Sequence, residues 1–149
     1  MVDELKDPGS NEMEPVWSDG VLRHLVMLAD RYGFSVGITL TVGGTIVTGN
    51  IIAAKDFFRE LEKQTRAASL DSSQKEFAEV YADGFQQIAD LVAVPDDAPT
   101  HIPNFIHLRN ARWMIGRELV PESGSFWRGK IASIDGFTFG SLSIGRLTG

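Results

Sequence analysis

The chain has 149 residues, 43% hydrophobic and 23% charged, enough for one ordinary domain with a core and short for two. Its net charge of −6 weighs against a nucleic-acid binder, and the absence of cysteine excludes disulfides and thiolate chemistry. No apolar run reaches the ~18 residues of a membrane span, and the acidic start does not read as a signal peptide, so a cytoplasmic protein is expected.

The charge is unevenly spread. Residues 1–16 carry five acids and one lysine, net −4. Residues 17–99 carry twelve acids and seven bases, net −5, and residues 100–149 carry three acids and six bases, net +3. The basic last third leaves room for a local patch.

Residues 1–15, with Pro8, Gly9, Ser10 and Pro15 and few large apolar side chains, read as a disordered acidic tail. Residues 16–149 read as a single α+β domain. A first helix is expected from an N-cap at Ser18 or Asp19 to Tyr32, with Val21, Leu25, Leu28 and Tyr32 at helical spacing and Gly33 as its stop.

The stretch Phe34–Ala54 organises the rest. Phe34, Val36, Ile38, Leu40 and Val42 alternate with small or polar residues, the pattern of a strand with one buried face. Gly43-Gly44 suits a type I′ turn, whose two central residues need positive φ. That turn pairs Val42 with Thr45, Leu40 with Val47, Ile38 with Gly49 and Val36 with Ile51. On the opposite face Thr39, Thr41, Thr48 and Asn50 look solvated, while Ile46 and Ile52 sit among them without assigned burial.

A helical insertion over about residues 55–94 follows. Its first helix runs from Lys55-Asp56 to about Ala68, on Phe57, Phe58, Leu61 and Ala68. Its second opens at a Ser73/Glu76 capping box and reaches about Ala93, carrying Phe77, Val80, Tyr81, Phe85, Ile88, Leu91 and Val92. After the Pro95–Pro99 loop come a β-rich run, Asn104–Ile115, with a bend at Arg109-Asn110, and a loop at Gly116–Gly124. A last hairpin is expected from Phe126 to Ile144 around Asp135-Gly136. Its apolar face switches partway along, which requires a bulge or sharp bend, with Gly129 and Gly140 as bend points.

The chemistry-bearing residues are sparse. His24, His101 and His107 have no zinc-ligand spacing and read as structural, and Gly43-Gly44 lacks a phosphate-loop context. Asp96-Asp97 solvates a loop. No catalytic constellation, metal site or cofactor site is expected, hence no enzyme. Phe126-Trp127-Arg128-Gly129-Lys130 places two large aromatics beside two cations, a composition favoured at interfaces. The simpler reading turns Trp127 into the core and Arg128 and Lys130 to solvent.

Tyr32-Gly33-Phe34-Ser35, Ile38-Thr39-Leu40, Ile46-Val47-Thr48-Gly49 and Ile52-Ala53-Ala54-Lys55 resemble the opening block of the gas vesicle accessory protein U (GvpU) family. Phe105-Ile106-His107-Leu108-Arg109-Asn110 and Phe126-Trp127-Arg128-Gly129-Lys130-Ile131-Ala132, then Asp135-Gly136-Phe137, are similar to its closing blocks. The resemblance covers about residues 30–60 and 103–142. It implies a non-enzymatic accessory role in gas vesicle assembly or organisation, with no catalytic residues and no cofactor. A second resemblance concerns fold. Gly44, Gly49 and Asp56-Phe57-Phe58, with Asn104–Leu108 and Arg128-Gly129, are similar to the two Sm motifs, with helices spliced into the first. Sm-like proteins join an N-terminal helix to a five-stranded bent barrel and form RNA-binding rings.

Together these lead to a small bent antiparallel β-barrel (Sm/SH3-like) with an N-terminal helix and an inserted helical pair. The expected function is protein binding in the gas vesicle system, to other gas vesicle proteins or to itself as a homo-oligomer, at a surface of Trp127, Arg128, Lys130, Ile46 and Ile52. The expected location is the cytoplasm, in association with gas vesicles. An Sm-like RNA-binding protein is the alternative.

Overall fold

The Asp19 carboxylate accepts the backbone N–H groups of Val21 and Leu22, so the first helix, α1 (Gly20–Tyr32), starts where a side chain satisfies its free donors. Gly33, at φ 71°, closes it in the left-handed conformation that glycine adopts without strain. Leu22, Val26 and Ala29, spaced four and three apart, are buried. The computed structural model describes residues 19–68, 71–99 and 101–143. The acidic tail expected at residues 1–15 lies outside them.

The organising hairpin forms in the expected register. Strands β1 (Gly37–Val42) and β2 (Thr45–Ile52) pair Val42 with Thr45, Leu40 with Val47 and Ile38 with Gly49, and the Ile51 N–H donates to the Val36 carbonyl. Gly43 and Gly44 have φ of 56° and 80°, as a type I′ turn requires. The strand starts later than its alternation suggests: Phe34 is exposed, beside the Tyr32 ring.

Helices α2 (Ala54–Ala67) and α3 (Ser72–Val92) follow. The cap of α3 differs from the Ser73/Glu76 box. Asp71 is the N-cap, accepting the N–H groups of Ser73 and Gln74 and the Ser73 hydroxyl. These hydrogen bonds, Gln74's foremost, hold the Asp71 carboxyl below its ordinary pKa.

The C-terminal third pairs differently from the sequence reading. Strand β3 (Phe105–Ile115) bends at Asn110, which has φ 52°, and turns at Gly116 directly into β4 (Glu118–Lys130). The expected loop at Gly116–Gly124 is therefore mostly strand. The last hairpin does not form either. Trp127 pairs with Leu108 and Arg128 with His107, so Phe126–Lys130 is spent on β3. A short 3₁₀ helix, Ile131–Ser133, then carries the chain to β5 (Gly136–Phe139), which pairs with β1, Phe137 opposite Leu40. Asp135-Gly136 is no hairpin turn. The Asp135 N–H donates to the Thr41 carbonyl, and its carboxylate accepts the Gly43 N–H. The required bend is the 3₁₀ turn. Of the two glycines expected there, Gly140 adopts φ 92° beyond β5.

The result is one antiparallel five-stranded sheet in the order β4-β3-β2-β1-β5. Crossing four spacings of a flat sheet requires ~19 Å. The link between its two edges spends three of its five residues in a 3₁₀ turn that rises only about 2 Å per residue. The sheet is accordingly curved. Strand pairing leaves it open among the described residues, so a closed barrel is not formed by hydrogen bonds.

One face packs on α1. Leu22 and Val26 meet Ile38, Leu40, Val47, Ile51, Ile106 and Leu108, with Ile131 closing the end. The other face is covered too. Ile52 packs under Phe57 and Phe58 of α2 and Ala89 of α3. Thr48, expected to be solvated, is fully buried. Its hydroxyl oxygen accepts the Leu142 N–H at 2.7 Å and lies 3.0 Å from that of Thr39, which donates to the Gly140 carbonyl.

Candidate functional site

Alternation along β4 sends Trp127 and Arg128 to opposite faces. Trp127, opposite Leu108, packs on the main core. Its ring also crosses Gly129: a Cβ there would overlap the indole, which is why glycine stands between the two cations. Arg128 lies on the α2 side with His107. Its guanidinium sits 3.8 Å from the centre of the Phe105 ring and 5.4 Å from that of Phe58, a cation–π arrangement.

Arg128 Nη1 donates to His107 Nε2 at 3.2 Å. An imidazole that accepts there is neutral and carries its proton on Nδ1, and that nitrogen is buried without a partner. Burial, with the Arg128 charge beside it, lowers the His107 pKa to about 4. The ring is held against Phe57 and Phe58, its centre 4.8 and 5.8 Å from theirs.

Phe105, His107 and Arg128 form one wall of a cavity of about 260 Å³. Asp30 and His101 stand on another, Asp30 Oδ2 lying 2.7 Å from His101 Nε2. Asp30 Oδ1 accepts the N–H of Ala54 at 2.9 Å. A carboxylate–imidazole pair can hold and pass a proton. Here both carboxylate oxygens already serve the fold, one of them at the start of α2, where the helix dipole favours negative charge. No described side chain lining the cavity is a hydroxyl, thiol or amine, so its chemistry is limited to the Asp30 carboxylate, the two imidazoles and the Arg128 guanidinium. Among the described residues no cluster of three or more histidines and acids is placed to hold a metal.

The five residues singled out in the sequence are not brought into one patch. Trp127 is half-buried in the core, Arg128 lines the cavity and Lys130 is exposed at the end of β4. Ile52 is 7% exposed beneath the inserted helices, and Ile46 is half-buried at the far end of the same strand. Ile52 is core, and the apolar sheet surface drawn through it does not exist in this fold.

Five of the exposed large apolar residues lie together on α3. Ala78, Ala82 and Ala89 are buried, with Phe85 and Val92 packed beside them. Phe77, Val80, Tyr81, Ile88 and Leu91 point outward, Phe77 70% and Leu91 82% exposed. The sequence reading placed Phe77, Val80, Tyr81, Phe85, Ile88, Leu91 and Val92 on this helix without dividing them between core and surface. The breadth of that set was the available signal: at 100° per residue its members sweep about 140°, wider than the ~100° stripe that faces one core.

A family model described as gas vesicle protein GvpU-like matches residues 19–142, which spans every described element. The chain belongs to the GvpU-like family. No curated protein and no solved structure matches it. Both sites of this GvpU-like chain, the Arg128 cavity and the α3 face, fall inside the matched region. No helix among its described residues is long and apolar enough to cross a membrane.

Proposed function

We propose that the chain is a non-enzymatic accessory protein of gas vesicle assembly or organisation, acting in the cytoplasm by binding proteins. The family match carries this reading. Two observations support it. The cavity beside Arg128 carries no hydroxyl, thiol or amine among its described lining residues, and its acid is engaged in holding α2. The outward face of α3 presents five large apolar side chains, the kind of contiguous patch that marks contact sites on proteins.

The test is complementation in a gas vesicle-forming cell lacking the chain, scored by electron microscopy for vesicle number and arrangement. Wild type restores the normal pattern and Phe77→Glu, exposed and away from the cavity lining, does not. Vesicles unchanged by the loss of the chain would refute the accessory role.

The Sm-like alternative is favoured by one observation, a helix followed by five strands in the order β4-β3-β2-β1-β5, the layout suited to a small bent barrel. Retention of RNA that weakens steeply with salt would support it, because phosphate contacts release counterions.

A further inference from the structure

Four of the five exposed apolar residues of α3 are placed symmetrically about Gly84, Tyr81 being the exception. Phe77 and Leu91 each lie seven residues from it, and Val80 and Ile88 each lie four. At 100° per residue all four point within about 40° of the Gly84 direction. A two-fold axis through Gly84, perpendicular to the helix, therefore lays the stripe onto itself with its direction reversed.

We infer that this face is filled by α3 of a second copy of the chain, antiparallel, with the axis at Gly84. Phe77 then packs on Leu91 of the second copy, and Val80 on its Ile88. Such an isologous contact needs a surface complementary to itself, which the symmetric stripe supplies. Glycine inside a helix is destabilising relative to alanine. Gly84 finds its use at the crossing: a Cβ there meets nothing within 4 Å, and its absence lets two backbones approach. Glu79 and Asp83 beside the stripe are held by Arg66 at 2.6 and 2.7 Å, which tempers like-charge repulsion between copies. Five outward side chains contribute on the order of 100 Å² each, so pairing covers about 1,000 Å², the lower bound for a specific interface.

The pairing uses the same face as the accessory role proposed above, and the following measurements separate the two. The chain has no cysteine, so single cysteines report geometry directly. A disulfide forms only where Cα atoms come within ~7 Å. Under mild oxidation Gly84→Cys should cross-link to a dimer, and Lys75→Cys, exposed on the far side of α3, should not. Phe77→Cys should cross-link with Leu91→Cys in a mixture and not with itself. In sedimentation, wild type should be a dimer and Val80→Glu/Ile88→Glu a monomer with unchanged circular dichroism.

Cross-linking of Phe77→Cys to itself, or of Lys75→Cys as readily as Gly84→Cys, would overturn the antiparallel pairing. So would a wild type that stays monomeric at every concentration. If that monomer instead bound a gas vesicle protein through Ile88, the accessory role would stand and self-pairing would fall. A dimer in cells whose vesicles ignore the chain would leave the pairing intact and refute the role.

Discussion

The carboxylate of Asp30, on the last turn of α1, accepts the backbone N–H of Ala54, the first residue of α2, at 2.9 Å. The residue at the N-cap of α2 is Ala53, which has no side chain to satisfy a free helix donor. One helix thus caps another across 24 residues, and His101 satisfies the second oxygen at 2.7 Å. Asp30→Ala should lower stability by on the order of 2 kcal/mol, since it strands a buried N–H. Asp30→Asn keeps an acceptor and should lower it less. Urea midpoints of the three proteins check the ranking; equal midpoints would mean that α2 does not depend on the cap.

Neutral His107 makes the fold acid-sensitive. Its pKa is about 4 in the fold and ordinarily 6.5, so the unfolded chain takes up the proton first as pH falls. The stability this group contributes is complete above pH 6.5, declines between 6.5 and about 4, and levels off below. At ~1.4 kcal/mol per unit the full loss is roughly 3 kcal/mol. In His107→Phe the decline over this window should shrink. An imidazole that titrates near 6.5 in nuclear magnetic resonance would contradict its burial against Arg128.

Thr48 ties the strand to the C-terminal segment. Thr48→Val keeps the shape and removes the acceptor of the Leu142 N–H. A loss of about 1–3 kcal/mol is expected, the usual penalty for stranding a buried polar partner. Amide exchange at Leu142 should rise at the same time, and unchanged exchange would place that bond outside the solution structure.

The hairpin turn is sensitive to conformation alone. A side chain at Gly44 would meet nothing within 4 Å, yet φ there is 80°. Gly44→Val should therefore destabilise by about 1–3 kcal/mol through backbone strain without any clash. An unmoved denaturation midpoint would show that the turn is not type I′.

At α3, Asp71→Ala should lower the thermal midpoint more than Ser73→Ala, because Asp71 accepts two backbone N–H groups. The reverse order would restore the Ser73/Glu76 box as the cap.

Local chemistry was legible in the sequence. Alternation from Val36 to Ile51 and two glycines set the register of β1 and β2, because side-chain period and turn geometry act between near neighbours. Asp19 and Gly33 bounded α1 for the same reason. The resemblance to the GvpU family was likewise carried by short strings within those elements and within β3 and β4. What the sequence could not decide was competition between distant partners. Phe126–Lys130 had two candidate neighbours, and β3 won it over the segment after Asp135, leaving β5 to β1. Asp30 carries no mark of a helix cap, since the donor it serves is 24 residues away. Ile52 and Leu91 are alike in hydropathy, and only the packing of α2 and α3 on the sheet buries the first and leaves the second in water. Burial is a property of which surfaces meet, and that is settled by the whole chain at once.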